Sequence, residues 1–398
     1  MRDHLIRTAV VLGLLSAIGP FAIDMYLPAL PQVAADLQIT EQTAALTLSV
    51  YFLTFGLAQL IWGPMADAMG RKPPLVIGVV IFLVASVCAA AAPTIGWLIA
   101  ARALQAFGAA TLMAVPRAVI RDTATGPDAA RMMAAIMVVT AISPMLAPLA
   151  GSAIMLFGNW REIFAALAVA AVISLGLILF VLPETLPAER RARVRPGQIA
   201  AAAKRLARDR QFVGMTLIGG FGMASFFVFL SSASFVYAHQ FGLTPTQFAI
   251  CFAINSIGFF TASQFAARLG QRYGMERVVS LAITGFLATM IALVALVWLT
   301  GGTLVMVIIG LIIANAFLGL VIPTSMVVAL DPHPDIAGLA SSIGGTVQML
   351  TGGVMIALTG LFMNNTSLAM VAGIGLCALL SWIAAVATMP RLRVGRAA

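Results

Sequence analysis

Long stretches of apolar residues, separated by short polar segments, run along the whole chain of 398 residues. Each stretch holds about 20 residues, the length of an α-helix that crosses the hydrocarbon core of a bilayer. The pattern predicts twelve such helices, at residues 8–30, 43–65, 74–92, 97–118, 132–156, 163–183, 211–237, 245–267, 278–299, 303–329, 337–362 and 367–389. The sequence therefore predicts an all-α, polytopic membrane protein.

The composition supports this fold class. Hydrophobic residues make up 61% of the chain and charged residues 9%, whereas soluble domains carry about 25% charged residues. The three cysteines, Cys88, Cys251 and Cys377, fall in three different predicted helices. That spacing indicates neither a disulfide framework nor a metal site, and we expect no metal.

Basic residues lie almost entirely on one side of the predicted membrane. If the N-terminus is cytoplasmic, every Lys and Arg except Arg102 and Arg161 falls in or beside a cytoplasmic segment, as the positive-inside rule requires. Both termini are then cytoplasmic, and the net charge of +9 reflects topology and attraction to an anionic inner leaflet, not nucleic-acid binding. Of the 23 basic residues only Lys72 and Lys204 are lysines, which together with abundant alanine indicates a GC-rich bacterial genome and hence the inner (cytoplasmic) membrane.

One long polar segment, 184–210, lies between the sixth and seventh predicted helices and carries eight basic residues. It predicts a cytoplasmic linker between an N-terminal six-helix bundle at 1–183 and a C-terminal six-helix bundle at 211–398. Related turns also recur 200 residues apart, at 63–71 and 263–271. Two six-helix halves related by an axis along the membrane normal, with a substrate site near the midplane, are typical of secondary transporters.

The turn after the second predicted helix carries the motif Gly63-x-x-x-Asp67-x-x-Gly70-Arg71-Lys72-Pro73. This motif resembles the loop signature of the major facilitator superfamily. The resemblance implies the fold of that family, with two pseudo-symmetric bundles of six helices.

Three further segments resemble one subgroup of that family, the bicyclomycin and chloramphenicol resistance drug:proton antiporters. The segments are 23–31 (IDMYLPALP), 102–105 (RALQ) and 226–237, which contains FFVFLS and FVY. The resemblance implies multidrug efflux, in which the export of an antibiotic is coupled to proton entry.

Asp24 is an ionisable residue inside the first predicted helix. A charge in that environment costs roughly 2.5 to 3.5 kcal/mol on insertion scales, so such a residue usually handles a proton or an ion. Arg102 lies at a similar depth in the fourth helix, and the resemblance implies that both helices line the cavity of the N-terminal half. We expect Asp24 to carry the coupling proton and Arg102 to approach it in one conformation only. A local cap or salt bridge of Asp24 at a wet helix end is the alternative.

Asp67 and Arg71 lie at an exposed helix end, where a gating latch is favoured over a binding site. In the superfamily this aspartate meets the N-terminus of the eleventh helix, which here begins near Ala337, and the positive end of a helix dipole stabilises a carboxylate. Gly63 and Gly70 complete the predicted latch. A tight turn with positive-inside charges explains Arg71 equally well.

Two prolines, Pro144 and Pro148, precede Gly151 in the fifth predicted helix. Each proline removes a helical hydrogen bond, which predicts a bent and closely packed helix. The segment resembles the antiporter motif of the superfamily, although Ser143 and Ala147 stand where the fuller motif carries glycines. A packing kink is the alternative.

The candidate cargo contacts are mostly apolar, as they are in drug sites. Aromatic side chains and methionines repack around dissimilar molecules, but in any one helix they also face lipid or neighbouring helices, and amides also join helices to one another. The predicted cavity residues are Tyr26, Gln105, Met113, Met145, Phe226, Phe227, Phe229, Phe235, Tyr237, Asn255, Asn315 and Gln348.

The charge of the cargo is predicted from one position. Some relatives that export cationic drugs carry a second acid two helical turns before the position of Asp24, where this chain has Ser16. With a single embedded acid, we expect small, largely hydrophobic drugs that are neutral or weakly charged, such as amphenicols.

Other classes of protein are less consistent with the sequence. The chain has no HExxH, GxSxG or nucleotide-binding loop, so we do not expect an enzyme. We expect a monomeric transporter that is driven by the proton gradient and needs no cofactor. A proton-coupled importer, or a dedicated metabolite exporter of the same fold, explains the helices and the buried acid equally well, because the direction of transport rests on the resemblance.

Overall fold

The computed structural model describes residues 2–124, 126–191, 196–362 and 364–395. Fifteen α-helices run through these residues, with short 3-10 helices at Leu27–Ala29, Ala188–Arg190 and Pro334–Ile336. The α-helices are α1 (Arg2–Asp24), α2 (Leu30–Asp36), α3 (Glu41–Met69), α4 (Lys72–Ala90), α5 (Ile95–Ala109), α6 (Thr111–Thr123), α7 (Gly126–Met155), α8 (Trp160–Phe180), α9 (Pro196–Arg208), α10 (Arg210–His239), α11 (Pro245–Tyr273), α12 (Met275–Thr300), α13 (Leu304–Leu330), α14 (Ala337–Gly360) and α15 (Ser367–Gly395).

Twelve helical spans in the described residues are long and apolar enough to cross a membrane. The first span, Arg7–Asp36, joins α1, a 3-10 turn and α2, and the fourth, Ile95–Thr123, joins α5 and α6. Each of the other ten contains a single α-helix, which in the span Pro334–Gly360 follows the 3-10 helix Pro334–Ile336. The all-α class and the count of twelve that the hydropathy pattern predicts are therefore confirmed.

The first span runs farther than its predicted end at residue 30, because prolines shape its last part. Pro28 cannot continue α1, since it lacks the backbone N–H that a helix interior needs. Pro31 stands in the first turn of α2, where that N–H has no partner in any helix. The chain therefore restarts a helix at Leu30 and continues to Asp36.

The chain forms two compact units, Met1–Val194 and Arg195–Ala398. In the first unit α1 packs on α7, α3 packs on α5, and α4 packs on both α5 and α8. In the second unit α10 packs on α14, α11 packs on α13, and α12 packs on both α13 and α15. Counted by transmembrane span, these are the same four pairings, so the two units repeat one arrangement of six helices.

The predicted linker, 184–210, contains a helix that the hydropathy pattern did not indicate. This helix, α9, packs on α10 and α14 within the second unit. Leu206 is fully buried, whereas Lys204 and Arg208 are exposed, so α9 is amphipathic. Of the basic residues predicted to be cytoplasmic, Arg193, Arg195 and Arg396 lie outside the described residues.

Glycines allow α11 and α13 to approach each other closely. A Cβ atom at Gly319 would collide with the carbonyl oxygen of Phe259, and one at Gly258 would collide with the carbonyl oxygen of Ile312. Small residues at helix contacts permit this backbone approach in membrane proteins. The contact between α11 and α13 thus depends on the absence of a side chain at both positions.

We expect Gly319→Leu to lower the stability of the second unit by about 1 to 3 kcal/mol or more, because the backbone it meets cannot move aside as a side chain would. Thermal unfolding of the detergent-solubilised protein measures the effect. Gly176→Leu is the control, since the space around Gly176 in α8 is open. Equal unfolding temperatures for the two variants would contradict the close approach of α11 and α13.

Candidate functional site

The first transmembrane span breaks directly after Asp24. α1 ends at Asp24, residues 25 and 26 form a turn, and the 3-10 helix Leu27–Ala29 follows. Because Pro28 has no N–H, it cannot donate to the carbonyl of residue 24 as a continuing helix would require. Asp24 is therefore the last residue of α1, and it is only 4% exposed.

Arg102 lies on α5 and is fully buried. Its Nη1 donates a hydrogen bond to the Ala22 carbonyl oxygen at 2.9 Å and another to Gln105 Oε1. The carbonyls in the last turn of a helix have no partner within that helix, which leaves the Ala22 carbonyl free to accept. Gln105 Nε2 in turn donates to Ser86 Oγ on α4 at 2.8 Å. Arg102 and Gln105 thus join α5 to the end of α1 and to α4.

Three aromatic rings surround the Arg102 guanidinium. Its Cζ lies 4.2 Å from the ring centre of Tyr51 on α3, 5.0 Å from that of Tyr26 and 5.7 Å from that of Phe164 on α8. All three distances are within the range of about 6 Å for cation–π attraction. Arg102 Nε and Nη2 have no hydrogen-bond partner in the described structure, so the ring faces stabilise that part of the cation.

Asp24 and Arg102 form no ion pair with each other in the part of the chain that the structure describes. The Arg102 guanidinium does reach the backbone of the same helix end, at Ala22, two residues before Asp24. Tyr51 also lies within electrostatic range of both side chains. A closer approach of Asp24 and Arg102 in a second conformation remains a prediction.

The cluster also contains Tyr51, Phe164, Ser86 and Thr47, which the sequence analysis did not predict. Thr47 Oγ1 donates to the Tyr26 hydroxyl at 3.2 Å, which fixes one of the three rings. The sequence could have indicated Tyr51 as a candidate, since it is one of only four tyrosines and lies within an apolar helix. No feature of the sequence distinguishes Phe164 or Ser86, because such residues are common in membrane helices.

Arg71 is the centre of a second charged cluster, which lies between the ends of α3 and α4. Its Nη1 is 2.6 Å from Asp67 Oδ1, and its Nε is 2.7 Å from Asp122 Oδ2 on α6. Partial burial works against the charge, but the hydrogen bonds to Asp122 and Asp67 outweigh it and raise the pKa of the guanidinium. Arg71 is thus held by two carboxylates within its own unit, and the predicted latch between Asp67 and the eleventh span remains a prediction.

Gly70 and Glu184 complete this cluster. Gly70 has a φ of +97°, so the backbone conformation favours glycine, and a Cβ there would come within 2.6 Å of Glu184 Oε2 and displace that carboxylate. The Glu184 carboxylate accepts from the backbone N–H of Arg71 at 2.9 Å and of Lys72 at 3.1 Å. Partial burial works against its ionisation, but these and two further backbone N–H groups lower the pKa of Glu184. Glu184, predicted only as a linker residue, is therefore part of this charged cluster.

The prolines of the fifth span lie within one continuous helix, α7, which passes through Pro144 and Pro148 without interruption. Gly151 faces the break after Asp24, because a Cβ at this position would collide with the carbonyl oxygen of Met25. The close packing predicted for this helix is thus directed at the segment that follows Asp24.

Four predicted site residues lie in less enclosed positions. Met113 on α6, Met145 on α7 and Gln348 on α14 are half-buried. Gly63 on α3 is half-buried too, and the space around it is open. Their roles remain predictions.

The predicted aromatic residues of α10 form a cluster with α11. The ring centre of Phe226 lies 6.4 Å from those of its neighbours, and Phe229 stacks on Phe252 at 5.7 Å with 14° between the ring planes. The structure thus brings together three predicted residues and adds two that were not predicted. The cluster comprises Phe226, Phe227 and Phe229 of α10 with Phe252 and Phe259 of α11.

The predicted amides of the second unit pair with each other between α11 and α13. Asn315 Nδ2 donates to Asn255 Oδ1 at 3.2 Å. Asn255 Nδ2 is buried without an acceptor at full hydrogen-bond geometry in the described structure, and it lies beside the Tyr237 hydroxyl. Phe235 is also buried on α10. The Tyr237 ring meets Phe248 at 5.9 Å, and Phe248 meets Phe252 of the aromatic cluster at 6.0 Å, so this group of polar atoms lies near that cluster.

The family model described as Major Facilitator Superfamily matches residues 12–357. Its match covers all but the ends of the chain. It includes both charged clusters of the first unit and the aromatic and amide residues of the second.

Three curated relatives match over most of their length. The chain is 34% identical over 363 residues to the uncharacterized MFS-type transporter YdgK of Bacillus subtilis, covering 90% of this chain and 89% of that protein. It is 28% identical over 377 residues to the bicyclomycin resistance protein homolog of Haemophilus influenzae, with 94% of each covered. It is 31% identical over 333 residues to the multidrug resistance protein MdtL of Shigella flexneri, with 83% of this chain and 82% of that protein covered.

The fold is also that of solved transporters. The crystal structure of a D-xylose-proton symporter superposes with a TM-score of 0.76, at 15% sequence identity, over 96% of this chain and 97% of that one. At this identity the match shows the fold alone.

We expect Glu184→Gln to lower the thermal unfolding temperature by a few degrees at pH 7, because the neutral amide accepts the backbone N–H groups more weakly. The pKa of Glu184 is lower in the folded protein than its ordinary value of about 4.3, so its contribution is present above that value and is lost as the pH falls through the folded pKa. The difference from wild type should therefore shrink below about pH 4. The exposed Glu189→Gln is the control, and a constant difference from pH 7 to pH 3.5 would contradict the role of the carboxylate.

Proposed function

This chain belongs to the Major Facilitator Superfamily, and we propose that it is a proton-coupled exporter of small, largely hydrophobic drugs. Membership makes it a membrane transporter and not an enzyme. The main support for proton-coupled drug export is the position of Asp24, which is buried at the end of α1 beside the Arg102 cluster.

The proposed role of Asp24 follows from the cost of charge away from water. An ionised carboxylate in an apolar environment is expensive, so a carboxyl group that loses contact with water tends to take up a proton. When the transporter opens and water reaches the group, the proton is released. Alternating access therefore couples Asp24 to the proton gradient, and transport needs no cofactor.

The proposed direction is export. The curated relatives named for bicyclomycin and multidrug resistance support it, as does the resemblance of the α7 segment to an antiporter motif. Gly151 adds a physical connection, because it lets α7 lie against the backbone of Met25, next to Asp24. A movement of α7 would thus change the surroundings of the proposed proton carrier.

The proposed cargo is neutral or weakly charged, as amphenicols are. Asp24 is the one acid among the described residues that is buried, so a single buried carboxylate is available to balance a positive charge on a drug. The aromatic cluster of α10 and α11 offers an apolar surface, and Asn255 offers a buried amide donor beside it.

The proposed setting is the bacterial inner membrane, with both termini in the cytoplasm and a monomeric chain. The distribution of basic residues supports the orientation. On α9, the exposed Lys204 and Arg208 would then face the anionic inner leaflet, to which basic segments are attracted.

We expect Asp24→Asn to abolish the resistance that the wild-type chain confers on an efflux-deficient bacterium, because the amide cannot carry a proton. The measurement is a drug-susceptibility panel with membrane expression checked by immunoblot. Asp128→Asn is the control, since this acid is exposed on α7.

Unchanged resistance in a fully expressed Asp24→Asn variant would move the proton site elsewhere. Greater drug accumulation in cells that express the chain would favour the importer, and no effect on any drug would favour a dedicated metabolite exporter.

We expect the same panel to show resistance to amphenicols and little resistance to dicationic dyes, because the described residues offer one buried acid for charge balance. Proton movement on addition of chloramphenicol to proteoliposomes measures the coupling directly. Strong resistance to a dicationic dye with none to amphenicols would contradict the proposed cargo while leaving the proposed coupling intact.

A further inference from the structure

We propose that Tyr51 is a positioning residue for proton coupling, and that the face of its ring holds the Arg102 guanidinium away from Asp24 while that carboxyl group carries its proton. The inference rests on the proposed function and deepens it. It assigns a role to a residue that neither the motifs nor the predicted cavity includes.

Arg102 is a buried cation that has no carboxylate partner among the described residues. A guanidinium remains protonated in proteins, and a buried cation needs compensation from its surroundings. Arg102 is fully buried, it forms no ion pair with Asp24, and its Nε and Nη2 have no hydrogen-bond partner in the described structure. Aromatic faces therefore supply what an anion would otherwise supply, and the Tyr51 ring, at 4.2 Å, is the nearest of the three.

The Tyr51 ring is held in place by its aromatic neighbours on α3. It stacks on Phe55 with a centre-to-centre distance of 6.1 Å and 16° between the planes, and it meets Phe52 edge-on at 6.2 Å. Its buried hydroxyl has no hydrogen-bond partner among the described residues. Packing, and not the hydroxyl, thus fixes the ring, so the face of the ring is the part that positions Arg102.

The ring faces and the Asp24 carboxylate compete for the Arg102 guanidinium. The titratable groups near Arg102 are Tyr51 and Tyr26, whose phenols are uncharged at neutral pH, and those near Tyr51 are Arg102 and Asp24. While Asp24 is neutral, Arg102 gains most from the ring faces, whose attraction for a cation is stronger without water. Once Asp24 loses its proton, the carboxylate competes for the same cation. The ring therefore favours the protonated carboxyl group, and removal of the ring would free Arg102 to stabilise the carboxylate.

The test is an infrared titration of the full-length chain in proteoliposomes, and it needs no drug. The carboxylic acid band of Asp24 is identified by its absence in Asp24→Asn. In Tyr51→Leu we expect the midpoint of this band to move to lower pH by about one unit, because Arg102 can then pair with the carboxylate. In Tyr51→Phe, which keeps the ring, we expect a midpoint close to that of wild type.

Phe82→Leu is the matched control, because Phe82 is a fully buried ring on α4 of the same unit and is not among the three rings around Arg102. An unshifted midpoint in Tyr51→Leu, or an equal shift in Phe82→Leu, would overturn the inference. If Tyr51→Leu fails to give a monodisperse protein, Phe164→Leu tests the same ring set from α8, with a smaller expected shift because that ring is 5.7 Å away.

The outcomes also separate this inference from the proposed function. A wild-type band with an unshifted Tyr51→Leu variant overturns the role of Tyr51 alone. The absence of any Asp24 band in wild type across the titration overturns both. A shifted band in a chain that exports no drug supports the role of Tyr51 and overturns only the proposed cargo and direction.

Discussion

A guanidinium is costly to remove from water, so the fully buried Arg102 must be compensated by several parts of the first unit at once. The end of α1 supplies a free carbonyl at Ala22, α5 itself supplies Gln105, and the rings come from α3, α8 and the turn after α1. Each contribution requires a particular placement of its helix. The break after Asp24 is one of these placements, since an uninterrupted α1 would keep the Ala22 carbonyl in its own hydrogen bonds.

The two units use one helix arrangement for different chemistry. The first unit buries charge, with Asp24 and Arg102 buried within the spans and Arg71 held between two acids at the junction of α3 and α4. The second unit buries aromatic rings and amides, in the α10–α11 cluster and the pair Asn255–Asn315. Under the proposed function, the first unit handles the proton and the second offers the apolar surface. A repeated fold permits this division because packing depends on helix shape, whereas charge depends on a few side chains.

Carboxylates fix helix ends at different places in the two units. In the first unit, the turn at Gly70 lets the Glu184 carboxylate accept from the backbone that follows it. In the second unit, the position that corresponds to Asp67 is Ala267, and the corresponding cluster is not expected there. That unit instead holds its N-terminal helix end through Asp209, which caps α10 and pairs with His333 at 2.8 Å. Carboxylates thus satisfy unpaired backbone N–H groups in both places.

The sequence by itself determined the twelve spans, because the thickness of a bilayer requires about 20 apolar residues in each. It also singled out Asp24 and Arg102, since charges are rare and costly inside such segments. It distinguished Tyr51 only as a rare tyrosine within an apolar helix, and it could not identify Phe164 or Ser86 as neighbours of Arg102, nor the five-ring set of α10 and α11. Those contacts depend on how each helix is rotated and crossed against the next, and apolar or weakly polar residues facing lipid look the same in sequence as those facing a partner. Only the tertiary structure decided which rings surround the buried cation.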